Sequence, residues 1–234
     1  MRGWKRWALV AGIVVVVLVV GGPFVYFHFI QGPAPKPFTI DGATTTTGRN
    51  SGPTTPTTAI ASLDGTWKVT SGSQAGYRVK ETLFGQSATA VGRTRAVTGS
   101  ITLSGSTVPS ASFTVDMTKV TSDRSQRDDQ FQGRIMDTSD FPTATFVLTS
   151  PIELGSVPAT GTKVTPSATG KLTLHGTTKT VTIPLTAERA GNTIEVTGST
   201  QVTFSDFGID NPSGGPASVG NTGTMEFLLV LAKA

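Results

Sequence analysis

Thr169 to Ala187 reads TGKLTLHGTTKTVTIPLTA, two alternating runs joined at a glycine. Leu172 and Leu174 point one way, while Lys171, Thr173 and His175 point the other. After Gly176-Thr177-Thr178 the alternation resumes, with Val181, Ile183, Leu185 and Ala187 on one side and Thr180, Thr182 and Thr186 opposite. Successive side chains of a strand project to opposite faces, so a period of two rich in β-branched residues means one dry face and one wet face. The stretch predicts a β-hairpin turning at Gly176-Thr177-Thr178.

Working outward, the same rhythm recurs between Gly, Ser, Pro and Asn breaks. Trp67 and Val69 open a first strand, and Tyr77 and Val79 lie in a second. Ala88 to Arg95, Gly99 to Leu103, Ser110 to Met117, Thr143 to Thr149, Thr193 to Phe204 and Thr224 to Leu231 continue the series. About eight antiparallel strands in one domain predict an all-β barrel or sandwich, and pattern alone does not choose between them. Ser122 to Ile135, SDRSQRDDQFQGRI, breaks the rhythm. Its N-cap candidates are Ser122 and Asp123, its apolar stripe is Phe131 and Ile135, and it predicts one short helix over an end of the strands.

Composition divides the chain into three parts. Residues 1–30 hold Arg2, Lys5 and Arg6 ahead of WALVAGIVVVVLVVGGPFVYF, 21 uncharged residues from Trp7 to Phe27. That length crosses a hydrocarbon core of roughly 30 Å as a helix. Basic residues on its near side keep the N-terminus in the cytoplasm and export the rest. An uncleaved transmembrane anchor is preferred to a cleaved signal peptide, because apolar character runs on to Ile30 without a close A-x-A site. Residues 31–62, rich in Pro, Thr, Ser and Gly, are expected to be a flexible spacer. Residues 63–234 are the folded domain, and its 172 residues are enough to bury a substantial core.

Charge and cysteine content exclude several classes. The net charge of +4 lies outside the domain, which carries 14 basic and 14 acidic residues. Nucleic-acid binding by a basic face therefore lacks support. No cysteine is present, so disulfides and thiolate metal sites are absent. The domain has one histidine, His175, read as a solvated residue beside a turn rather than a catalytic group. Asp128 and Asp129 are helix neighbours pointing about 100° apart, which does not suit a catalytic carboxylate pair. Arg127 and Asp128 are read as anchoring the helix to the barrel mouth, with a ligand head group as the other partner open to Arg127. No catalytic residue, metal site or resident cofactor is expected. The apolar candidates for an interior lining are Phe113, Val115, Phe131, Phe146, Leu172, Leu174, Ile183, Phe204, Phe207 and Leu229. For each of them ordinary core packing is the competing reading.

Three motifs in order then point to a family. TKVTSDRSQRDDQFQGRIMDTSDFPTATFVL, with Arg127-Asp128, Phe141-Pro142 and Phe146, is followed by GKLTLHGTTKTVTIPL from Gly170 to Leu185 and by SDFGI from Ser205 to Ile209. Together they resemble the YceI-like family over about residues 66–233. The chain departs from the family's pattern at Phe204, where Arg is frequent, and at Gly92 to Gly99, which lacks the usual aromatics. The resemblance implies an extended, lipocalin-like antiparallel β-barrel of exported proteins, with a long apolar lumen for a polyisoprenoid or isoprenoid quinone. The partners expected are that isoprenoid lipid and, through the N-terminal helix, the membrane. No nucleic acid is expected, and a homodimer is left open. The alternative is a stalk-displayed β-domain with a filled core and a structural or adhesive envelope role.

Overall fold

A computed structural model describes residues 33–40, 63–83, 85–214 and 217–234. The expected membrane anchor and most of the expected spacer lie outside the described residues. Among the described residues no helix is long and apolar enough to cross a membrane.

In chain order the strands are β1 (Gly65–Val69), β2 (Gln74–Leu83), β3 (Gln86–Thr94), β4 (Val97–Ser104), β5 (Thr107–Asp116), β6 (Thr143–Leu148), β7 (Ile152–Glu153), β8 (Lys163–Val164), β9 (Ser167–Leu174), β10 (Thr177–Ala190), β11 (Thr193–Thr203), β12 (Ala217–Val219) and β13 (Thr222–Lys233). The first four form two bent strands. β1 and β2 run in succession along one edge of β13, which pairs Val69 with Leu231 and then Gln74 with Leu228. At the break Ser73, only 2% exposed, stands in for the ladder. Its hydroxyl accepts from the Val230 N–H at 2.9 Å and donates to the Val230 carbonyl at 3.2 Å. β3 and β4 bend alongside them, with Ala96 N–H donating to the Thr94 hydroxyl at 3.0 Å.

Counting each bent pair once, the ring runs β1/β2, β3/β4, β5, β6, β9, β10, β11 and β13. β13 then pairs with β1, and the sheet closes as an eight-stranded antiparallel barrel. Closure removes the free edges that a sheet of this length would otherwise expose. Trp67 of β1 is buried, with its indole N–H donating to the Leu63 carbonyl at 2.8 Å.

The hairpin forms with a tighter turn than the sequence suggests. β10 starts at Thr177, so the turn is His175-Gly176 alone, with φ of +49° and +71°. Positive φ at both positions matches the right-handed twist of the flanking strands, and glycine adopts it without penalty. The helix is likewise shorter. α1 (Ser125–Gln130) continues into a single π turn, Phe131–Ile135. Its N-cap is Arg124, not Ser122 or Asp123. Ser122 instead donates to Asp128 from its N–H at 2.8 Å and from its hydroxyl at 2.6 Å.

Residues 33–40, read as spacer, lie against the outer wall. Alternation along β2, β3 and β13 sends Arg78, Arg93 and Glu226 outward, yet Glu226 is 3% exposed. Both arginines bind it, Arg93 at 2.8 Å and Arg78 at 3.3 Å. Gly76 lies opposite both Glu226 and Arg93, and its missing side chain leaves the path between them clear. The segment caps this triad: Arg78 donates to the Pro35 carbonyl, Arg93 donates to that of Lys36, and the Arg93 guanidinium lies 3.9 Å above the Phe38 ring. Ile40 is buried, and its carbonyl accepts from Lys163 Nζ. The spacer reading is corrected for these eight residues. Their prolines and threonine suggested disorder, but the wall supplies the cationic partners that order them.

Candidate functional site

The inward faces do not meet in the middle, and glycines explain why. A Cβ on Gly92 would come 2.3 Å from the Tyr77 ring. Cβ atoms on Gly99, Gly170 and Gly198 would come 2.7, 2.4 and 2.5 Å from Phe113, Phe146 and Phe227. Each large ring thus lies flat on a neighbouring strand over a residue without a side chain, along the wall instead of across the bore. A ring resting on a strand glycine covers exposed backbone while leaving the interior free.

Two cavities result. The inner one, of about 160 Å³, is bounded by carbon almost throughout, with Leu103, Phe113, Phe146, Ile152, Leu172, Ile183, Leu229 and Leu231 among its walls. The outer one, of about 810 Å³, lies under α1 and the loop through Pro212 and Gly214. Tyr77, Val79, Phe131, Ile135, Met136, Leu174 and Phe204 line it with Glu81, Arg124, Gln126, Arg127 and Gln130. Ala75, Val115, Ala144 and Met225 belong to both, so the cavities meet at a waist of mostly small side chains.

Of the apolar residues singled out in the sequence, Phe113, Phe146, Leu172, Ile183 and Leu229 line the inner cavity, and Val115 lines both. Phe131, Leu174 and Phe204 line the outer one. Phe207 lines neither and is corrected: it is buried one turn past the end of β11, in the 3-10 turn Phe204–Phe207. Alternation stops at Thr203, so counting in twos no longer assigns a face there. The reading missed Tyr77, Ala75, Ala144 and Met225. The first was visible as the inward partner of Val79, and Met225 as that of Leu229.

Polar groups gather at the rim. Arg127 pairs with Glu81 of β2 at 3.2 Å and with Asp123, tying α1 to the wall. Arg124 lies 3.7 Å from Asp123. Burial, and then the neighbouring Arg127, lower the Arg124 guanidinium from its ordinary value. Burial pushes the Tyr77 phenol well up, outweighing the opposite pull of Arg127, and Asp128, Glu81 and Asp123 add to the rise. The Tyr77 ring stacks on Phe131 at 5.0 Å and 13°. His175 occupies the hairpin turn, against the Phe141 ring at 4.6 Å, with Nδ1 3.3 Å from the Phe207 carbonyl. Among the described residues no group of three or more His, Cys, Asp or Glu is placed to hold a metal ion.

The closed barrel, its capping helix and its hollow axis agree with a family comparison, in which the YceI-like domain matches residues 67–231. The chain belongs to the YceI-like domain family. Two solved structures resemble it in fold. A polyisoprenoid binding domain from Saccharophagus degradans, implicated in plant cell wall breakdown, aligns with a TM-score of 0.59 at 15% identity, over 73% of this chain and 99% of its own. BcnA of Burkholderia cenocepacia aligns with a TM-score of 0.53 at 25% identity, over 68% of this chain and 95% of its own. No curated protein matches the chain.

Proposed function

We propose that this YceI-like protein binds a long isoprenoid lipid in its barrel, storing or carrying it at the outer side of the cell membrane without chemical change. One observation carries the reading: a carbon-lined cavity continues inward from a wider one at the rim, through a waist of mostly small side chains. An isoprenoid tail suits such a lining, because each buried CH₂ contributes about 0.8 kcal/mol and asks for no hydrogen bond. The polyisoprenoid binding described for the Saccharophagus degradans domain supports the same ligand class. The charge-free Trp7 to Phe27 segment, with basic residues before it, supports a membrane anchor that keeps the barrel beside a lipid reservoir.

The full-length protein, purified from membranes and extracted with organic solvent, is expected to release an isoprenoid lipid identifiable by mass spectrometry. Protein that carries none, and takes up neither quinones nor polyprenols when offered them, overturns the reading.

A further inference from the structure

Resting on that lipid-binding reading, we infer that the rim end of the lumen is built for a neutral head group bearing a hydrogen-bond-accepting oxygen, with Tyr77 as the donor. Three observations lead there. The Tyr77 ring is fixed on both sides, resting on Gly92 and stacked on Phe131. Its hydroxyl makes no hydrogen bond with the protein among the described residues, although it lines the cavity and its neighbours Glu81 and Arg127 are paired with each other. Tyr77 is half-buried, so a lipid seated in the cavity excludes water from its hydroxyl and must itself supply the partner.

The charges select against an anionic head group. Arg124 and Arg127 are the cations lining the outer cavity, and both lie beside carboxylates, Arg127 with Glu81 and Asp123, Arg124 with Asp123. A phosphate would have to displace these carboxylates and would face the largely buried Glu81. A carbonyl or hydroxyl oxygen faces no such opposition, and the protonated phenol supplies the donor. The ring carbonyl of an isoprenoid quinone and the terminal oxygen of a polyprenol share this chemistry.

The test titrates the full-length protein with four probes: an isoprenoid quinone, the polyprenol and polyprenyl monophosphate of matching chain length, and squalene as an oxygen-free control. The quinone or polyprenol is expected to bind at least tenfold more tightly than the monophosphate, and the tighter of the two names the head group. Tyr77→Phe, which keeps the stacked ring, is expected to weaken the preferred neutral ligand about fivefold and leave squalene unchanged. Tighter binding of the monophosphate overturns the inference while leaving the lipid-binding reading intact. An equal loss for squalene and the neutral ligand, or no loss for either, also overturns it. Binding of none of the four overturns the lipid-binding reading itself.

Discussion

β2 and β13 carry opposite chemistries on their two faces, one residue apart. Tyr77 and Met225 line the lumen, while Arg78 and Glu226 beside them form a capped ion network on the outside. The outer face is finished: each arginine has Glu226 and a carbonyl of the 33–40 segment, and Glu226 has both arginines. The inner face differs, since its apolar walls line a cavity and its phenol has no protein partner among the described residues. The outer face of these strands therefore carries an ion network that stands apart from the ligand cavity bordered by the inner one.

Glu226→Ala is the strongest way to break that division. It leaves Arg78 and Arg93 partly buried without their carboxylate, and a loss of about 3 kcal/mol is expected from denaturant unfolding. Affinity for a lipid already loaded should stay within about twofold, because the Glu226 carboxylate is engaged by Arg78 and Arg93. A loss of binding comparable to the loss of stability would mean that the two faces are not independent.

Ala144→Phe tests the converse. At the waist it should block the inner cavity, forfeiting about four buried CH₂ groups and weakening a long-chain isoprenoid about two hundredfold. A short-chain analogue that fills only the outer cavity should bind as before. Unfolding free energy should move by less than the Glu226→Ala loss, since the new ring enters existing space.

The smallest effect is a pH signature of Tyr77. Burial raises its folded-state pKa above the unfolded value of about 10, so the folded protein holds the proton more tightly. Stability from this group is complete below about pH 10 and falls above it by about 1.4 kcal/mol per pH unit. Tyr77→Phe should remove that slope and leave the neutral-pH stability nearly unchanged. An identical alkaline slope in the variant would show that the phenol is not held in the buried lumen.

Much of the inner face was legible in advance. Leu172, Leu174 and Ile183 line the lumen because a period of two assigns faces wherever a strand is regular. The rule failed where regularity failed, at Phe207 in its 3-10 turn. The outer network was hidden for another reason. Arg78, Arg93 and Glu226 are separated by up to 148 residues and look like ordinary solvated charges until the strands pair. The placement of residues 33–40 was hidden as well, since a proline-rich segment orders only against a surface that its own composition does not announce.

By itself the sequence determined the strands, their dry faces, the helix over one end and the family, because these depend on local periodicity and short motifs. Only the tertiary structure decided that the sheet closes and that its interior stays open. Alternation is the same in a sandwich as in a barrel, and closure rests on the pairing of β13 with β1, more than 160 residues apart. The bore rests on rings meeting glycines across neighbouring strands, a register that exists only once the ladder has formed.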